Sequence, residues 1–268
     1  MENRYNRQSF LGEDSEHIFA TVRVGVLGLG GGGSHVIQQL AHFGIKNFII
    51  CDPDKVEDTN LNRLVGGMLV DVENAIPKVK IAQRIIESLH ADAQVVPLHA
   101  RWQDHAESLK ICDVIIGCVD SFLGRSEIEV FSRRYLIPYI DMGMDVFQVG
   151  DDPPRMAGQI ILSMPGGPCM RCLGFITDEN LAAEGTRYGD AGGRPQVVWA
   201  NGVLASAAVG VVVDLLTDWT KSLRRVVFLS YDGNVSELKP DVRLKYLASS
   251  KCAHFSSQQV GDPDFTVL

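Results

Sequence analysis

The residues able to do chemistry in this chain gather first between Val22 and Arg63. The apolar run Val22, Val24, Val26, Leu27 breaks into Gly28-Leu29-Gly30-Gly31-Gly32-Gly33-Ser34. An amphipathic segment follows, and a second apolar run, Phe48 to Cys51, ends on Asp52. A strand that breaks into glycines and restarts as a helix turns backbone N–H groups toward a groove that no side chain blocks, and phosphates bind in such grooves. An acidic residue about twenty positions later, at the tip of the next strand, is placed to accept hydrogen bonds from a ribose hydroxyl. Asp52 stands there.

The glycine fingerprint and Asp52 would also suit a dinucleotide-dependent dehydrogenase. The stretch after Asp52 fits one less well. Asp54, Glu57, Asp58, Asn60, Asn62 and Arg63 form a polar loop just beyond the nucleotide edge, where a dehydrogenase needs open space for the second half of its cofactor. A triphosphate needs donors and a cation, and this loop carries both. Lys78 opens a helix after Pro77; as a lysine set against a helix dipole it marks a place to look for an anion. Asp120 closes the apolar run Val114 to Val119. It, or Ser121, could be a helix cap; beside a phosphate groove Asp120 is better placed to hold Mg²⁺ through oxygen.

A separate cluster is Cys169-Met170-Arg171-Cys172, the spacing of a zinc knuckle's first half. Cys252 and His254 are the available partners for a Cys₃His site, with reduced thiols in a tight turn as the alternative.

The elements that must position these residues read as follows. Residues 1–21 are a polar arm with a short helix after Gly12. Residues 22–145 alternate strands (Val22 to Leu27, Phe48 to Cys51, Gln94 to Leu98, Val114 to Gly117, Tyr139 to Met142) with helices near 34–43, 77–90 and 122–135. This is a Rossmann-like parallel sheet whose ligands bind beyond the strands' carboxyl ends. Residues 146–240 continue it as a mixed or antiparallel sheet, with strands at Val146 to Val149, Gln159 to Ser163, Val226 to Ser230 and Val235 to Leu238. A polar loop from Phe175 to Gln196 and the zinc knuckle also fall in this part. Residues 241–268 are a tail, and the whole is an α/β fold in one globular unit. Val197 to Trp219 is apolar enough to resemble a membrane span, but Asn201, Ser206 and Asp214 interrupt it, and a core helix is the better reading.

Composition narrows the functional classes. The net charge of −8, with 33 acids against 25 bases, sets a field that repels nucleic acid, and no basic run exceeds Arg133-Arg134 or Arg224-Arg225. The six cysteines lie partly in apolar strand runs, as in a reducing cytoplasm, and the charged N-terminus has no apolar signal core.

With these residues in hand, the chain resembles the ThiF/MoeB/HesA adenylyltransferases, relatives of the ubiquitin-activating enzymes. The matching pieces are Arg4-Tyr5-Asn6-Arg7-Gln8, Gly28 to Ser34, Asp52-Pro53-Asp54 with Val56, Asn60-Leu61-Asn62-Arg63, Pro77-Lys78, Val119-Asp120-Ser121 with Arg125, and Pro168 to Leu173. They keep the family's order, and the departures are Ser121, where the family usually has Asn, and the lack of a second Cys-x-x-Cys. The resemblance implies activation by ATP of the C-terminal glycine carboxylate of a small ubiquitin-like or sulfur-carrier protein, released as an acyl-adenylate with pyrophosphate. It implies nucleotide contacts from Gly28, Gly30, Gly31, Gly33, Ser34, Asp52, Asp54 and Asn60, and catalytic roles for Arg63, Lys78 and Asp120, the last with Mg²⁺. Arg7, otherwise an ordinary solvated charge, would reach a partner's ATP across a homodimer. Zinc would sit on Cys169, Cys172, Cys252 and His254. The loop after Cys172 carries no cysteine, so activation would stop at the adenylate, with another protein or a small thiol as acyl acceptor unless Cys252 takes that role. The alternatives are a relative acting on a peptide or on threonylcarbamoyl-tRNA, and a non-catalytic or dehydrogenase-like nucleotide-binding module.

Overall fold

The computed structural model describes residues 4–148, 150–186, 195–220, 226–247, 252–255 and 260. Its strands are β1 (Arg23–Leu27), β2 (Asn47–Cys51), β3 (Gln94–Leu98), β4 (Val114–Gly117), β5 (Tyr139–Phe147), β6 (Arg155–Ser163), β7 (Val227–Asp232) and β8 (Glu237–Pro240). They form an 8-stranded sheet in the order β3-β2-β1-β4-β5-β6-β7-β8. Strands β1 to β5 pair in parallel, and β5 to β8 pair antiparallel. Crossover connections join the parallel strands, and short returns join β5 to β6 and β7 to β8, while β6 reaches β7 through the long stretch 164–226, which carries two helices.

The helices are α1 (Ser15–Thr21), α2 (Gly31–Phe43), α3 (Leu69–Glu73), α4 (Lys78–Leu89), α5 (Ala106–Leu109), α6 (Phe122–Arg134), α7 (Asp178–Thr186) and α8 (Val198–Leu216). One core lies on the face covered by α2, α4 and α8, with Val24, Val26, Val36, Ile37, Leu204 and Ala208 among its buried members. A second core on the other face joins Leu27, Ile115, Ile128 and Phe228. Their alternation along β1 is that of a strand covered on both sides. Among the described residues α8 is the helix long and apolar enough to cross a bilayer, with a mean hydropathy of 1.7. It lies instead against α2, β5 and β6, and its Asp214 accepts a hydrogen bond from Trp219 Nε1 at 2.9 Å.

Strand order reverses between β1 and β4, and there the sheet opens a crevice beyond its carboxyl ends. The N-terminal arm is held at the other end of α2. Gln8 Nε2 donates to Phe43 O at 2.9 Å, and Arg4 Nη1 to Leu89 O at 2.8 Å.

Two expectations are corrected. The strands expected at Tyr139 to Met142 and from Val146 are one strand, β5, paired with β6 from Tyr139↔Ser163 to Phe147↔Arg155; Val149 lies outside the described residues. Asp141, Gly143 and Asp145 interrupt the apolar pattern, yet the backbone ladder continues through them because pairing needs no apolar side chain. The polar loop expected from Phe175 to Gln196 contains α7. Thr177 Oγ1 accepts from Asn180 N at 3.2 Å, and Leu181 packs on the core beside Phe122 and Phe175. Residues 187–194 of that stretch, and the tail beyond Phe255 except residue 260, lie outside the described residues.

Candidate active site

The glycine turn is built by steric exclusion. Gly28 has φ +87°, and a Cβ there would lie 2.8 Å from Cys118 O, at the exit of β4. A Cβ on Gly33 would lie 2.0 Å from Gly28 O, so the first turn of α2 presses directly on the end of β1. On Gly30, the N-cap of α2, a Cβ would meet nothing within 4 Å, and no side chain caps the helix there. The N-terminus of α2 therefore opens into the crevice, an arrangement suited to phosphate.

Around this opening the structure gathers most of the residues picked out from sequence. Asp52 is buried, and its carboxylate accepts from Leu29 N at 2.6 Å and from Asp54 N at 2.8 Å. It fixes the glycine turn from beneath. Burial raises its pKa, against the opposing pull of Lys78 and the two amides. Lys78, 11% exposed, pairs through Nζ with Asp54 Oδ2 at 2.7 Å. Arg63 lies on the other flank, with its Cγ 3.2 Å from the Cβ position of Gly31 and its Nη1 on Thr59 O at 2.7 Å. Asn60 Oδ1 accepts from Glu57 N at 3.1 Å and so shapes the loop that carries Arg63. Asp120 is exposed, two residues beyond the Cys118 carbonyl that abuts Gly28.

Two of the chosen residues lie apart from the opening. Ser34 is buried; its Oγ donates to Gly31 O at 2.9 Å and accepts from Val65 N at 3.0 Å, joining α2 to the chain after Arg63. Arg7 is exposed beside the carboxyl end of α2, separated from the glycine turn by a 13-residue helix, roughly 20 Å long. It cannot serve the crevice of its own chain from there.

The Cys/His cluster forms at the opposite end of the strands from the glycine turn. Ser163 pairs with Tyr139, the first residue of β5, so the turn that follows β6 lies by the amino ends of the parallel strands. Ligand atoms of Cys169, Cys172, Cys252 and His254 all lie within 4.8 Å of one another. Cys169 Sγ is 3.6 Å from Cys172 Sγ, Cys172 Sγ is 3.7 Å from Cys252 Sγ, and His254 Nδ1 is 3.5 and 3.3 Å from the sulfurs of Cys169 and Cys172. A tetrahedral zinc with bonds of about 2.3 Å to sulfur and 2.0–2.1 Å to nitrogen needs separations of about 3.8 and 3.5 Å. The donor set therefore fits zinc. The other thiols are inert: burial pushes those of Cys51 and Cys112 up to about 12, and that of Cys118 up as well.

Several residues that build the site escaped sequence reasoning. Asn201 of α8 is buried against the glycine turn, its Nδ2 2.5 Å from the Cβ position of Gly31; a lone amide in an apolar helix was the available signal. Glu129 and Arg133, four apart on α6, are buried and hold the knuckle. Glu129 Oε1 accepts from Met170 N at 2.9 Å and Ser163 Oγ at 2.5 Å, and Arg133 donates to Gly167 O and Pro168 O at 3.1 and 2.9 Å. Arg125, singled out in the sequence only as a companion of Val119-Asp120-Ser121, is buried on Asp141, a partner the sequence did not indicate, and Asp141 also accepts from Tyr139 and Gln159. Glu184 of α7 accepts from Phe122 N and Leu123 N, each at 3.0 Å, and no local pattern announces that contact.

A reversed strand order with an open glycine turn at the reversal, ringed by Asp52, Arg63, Lys78 and Asp120, defines an α/β nucleotide-binding protein. More narrowly, the chain belongs to the ThiF family, which it matches over residues 3–253. It is similar to the SAMP-activating enzyme E1 of Haloferax volcanii, 31% identical over 176 residues that cover 64% of this chain and 61% of that protein. It is also similar to the molybdopterin-synthase adenylyltransferase of Escherichia coli, 29% identical over 184 residues covering 66% and 70%. Among solved structures, E. coli MccB with MccA-N7isoASN aligns with a TM-score of 0.72 at 21% identity, over 90% of this chain and 71% of that one; that likeness concerns the fold.

Proposed function

We propose that this protein is an ATP-dependent adenylyltransferase that activates the C-terminal glycine carboxylate of a small ubiquitin-like or sulfur-carrier protein. The observation that carries the reading is the uncapped N-terminus of α2, open at Gly30 and flanked by Arg63, Lys78 and Asp120. The names of the relatives, adenylyltransferases and an E1-type activating enzyme, support it.

In this reading one carboxylate oxygen of the acceptor attacks the α-phosphorus of ATP. A new O–P bond forms as the bond to the bridging oxygen breaks, and pyrophosphate leaves with that electron pair. No general base is required, because the nucleophile is already an anion. The obstacle is the negative charge around phosphorus, and fixed donors lower it. The amides of the glycine turn and Arg63 face the phosphates. Lys78 exchanges its contact with Asp54 for a phosphate oxygen, and Asp52, besides holding Leu29, meets the ribose. Asn60 keeps the Arg63 loop in place beside the nucleotide. Mg²⁺ on Asp120 would supply charge neutralisation for the departing pyrophosphate. Arg7 belongs to the crevice of a second copy in a homodimer, since its own lies a helix length away. Zinc on Cys169, Cys172, Cys252 and His254 is structural, which removes Cys252 as a transfer nucleophile and leaves acyl transfer to another protein or a small thiol. Free thiols throughout the described residues support a reducing cytoplasm.

ATP–pyrophosphate exchange tests the reading. Exchange stimulated by a small protein ending in glycine supports it; exchange with a peptide or a tRNA instead assigns a different acceptor, and no exchange with any of them rejects it. Asp120→Ala is expected to lower exchange by about a hundredfold or more with the fold retained, and near wild-type turnover would remove the metal assignment.

A further inference from the structure

Helix α8 is buried on one side and bare on the other. Trp199, Val203, Ser206 and Gly210 are exposed and recur at the spacing of a single helix face. Trp199 is 57% exposed. The one hydroxyl on this face is turned back onto its own helix, Ser206 Oγ donating to Gly202 O at 2.8 Å. The face runs into a groove of about 580 Å³ between α2, α8 and the N-terminal arm, whose lining includes Phe10, Leu11, His42, Val209 and Trp219. Phe10, 68% exposed, meets Trp219 edge to face with ring centroids 5.9 Å apart, and the indole N–H of Trp219 is already given to Asp214. No acid, lysine or arginine lines the groove. A continuous apolar surface of this kind marks a place where a partner binds.

The direction of the helices says which partner. Asn201 packs on Gly31 and Gly202 lies against His35, at the amino ends of α8 and α2, while Val213 and Phe43 line the same groove at the carboxyl ends. The two helices therefore lie side by side and point the same way, with the crevice at one end and the arm that carries Arg7 at the other. A two-fold axis crossing α8 near Ser206 sets the α8 of a second copy antiparallel against it and exchanges these ends. Arg7, held beside Phe43 by its neighbour Gln8, then lies by the glycine turn of the second copy, having no access to its own. Charge favours the same occupant. Two copies that each carry −8 repel one another across most of their surfaces, and on this uncharged face they meet without setting like charges together.

We infer that the exposed face of α8, continued by the groove at Phe10 and Trp219, is the surface on which a second copy of this chain docks, antiparallel about a two-fold axis near Ser206. The orientation rests on the proposed role of Arg7. The inference adds to that role the face, the direction and the axis.

The full chain tests this in three ways. Sedimentation equilibrium is expected to show a dimer for the wild type and, for Val203→Asp, a dissociation constant raised about a hundredfold or more, because the new carboxylate would be buried without a partner. Ser206→Cys, next to the axis, is expected to give a covalent dimer under mild oxidation, whereas Val242→Cys, exposed just beyond the edge strand β8, stays single. Arg7→Ala and Lys78→Ala are each expected to be inactive alone, and their mixture to return about a quarter of wild-type ATP–pyrophosphate exchange, since half of the randomly paired dimers hold one complete crevice of their two. A monomeric wild type, a dimer indifferent to Val203→Asp, or a Ser206→Cys protein that cross-links no more than Val242→Cys overturns the inference. If the dimer and the cross-link behave as expected while the mixture restores nothing, the face stands and the failure lies in the role given to Arg7.

Discussion

Helices α2 and α6 begin at the carboxyl ends of neighbouring strands, β1 and β4, and face the same crevice, yet their first turns are built in opposite ways. Helix α2 starts in glycines with no side-chain cap and open space at Gly30. Helix α6 starts behind Ser121, with Glu184 closing the two amides that Ser121 does not reach. Two equivalent positive helix ends at a topological switch point would compete for one anion. With one end open and the other closed, α2 is the end suited to a phosphate.

The comparison breaks most severely at Gly33. Gly33→Ala places a methyl 2.0 Å from Gly28 O, a backbone atom that cannot move without displacing β1. A loss of more than about 3 kcal/mol is expected, together with loss of ATP binding. Gly30→Ala, with nothing near its Cβ, is expected to cost about 1 kcal/mol or less of stability and to act mainly on ATP affinity. Chemical denaturation with ATP titration reads both. Equal destabilisation by the two substitutions would mean that the open end of α2 is not held apart by the contact at Gly33.

The next effect belongs to the α6 side. Chelation of zinc from the cluster of Cys169, Cys172, Cys252 and His254 releases the knuckle that Glu129 and Arg133 grip. Hydrogen exchange at Met170 and in the last turns of α6 is expected to quicken about tenfold or more, since structural zinc contributes directly to folding, while α2 keeps its protection. A protein purified with no zinc, or one whose α6 is unmoved by chelation, would separate the knuckle from the helix.

How much of this was legible beforehand follows the same division. The α2 side is local in sequence: a glycine run after an apolar strand and an acid at the next strand tip declare themselves, because steric and phosphate requirements act within a few residues. Asp52 was legible as a residue of the site, but not as the carboxylate that also braces Leu29. The α6 side is assembled over long separations. Glu184 reaches Phe122 across 62 positions, and α7 hid in a stretch whose polar, glycine-containing composition reads as loop. Cys169 and Cys172 were legible by spacing, and Cys252 and His254 only as available donors. The continuity of β5 through Asp141 and Gly143 was hidden because Asp141 is buried for its bonds to Arg125, Tyr139 and Gln159, a network no hydrophobic pattern encodes.

The smallest effect separates two buried carboxylates, Asp52 beneath the start of α2 and Glu129 in the second half of α6. Burial raises the pKa of Asp52 above its ordinary 3.8 and that of Glu129 above its ordinary 4.5. The native protein therefore holds each proton more tightly than the unfolded chain does. As pH climbs from the ordinary value through the folded one, each ionisation lowers stability, and above that range the loss is constant. Asp52→Asn and Glu129→Gln abolish the titration, so each variant should improve relative to wild type as pH rises above the ordinary carboxylate value. Their baselines differ. Glu129 receives both Met170 N and Ser163 Oγ on the single atom Oε1, which glutamine reproduces. Asp52 uses one oxygen for Leu29 and the other for Asp54, so asparagine must leave one amide without its acceptor, at about 1–3 kcal/mol. Urea denaturation across that pH range should give two rising differences, with Asp52→Asn lying below Glu129→Gln. A flat difference for Asp52→Asn would mean that Lys78 and the two amides fully offset its burial, and that the carboxylate under the glycine turn is already at ease before any nucleotide arrives.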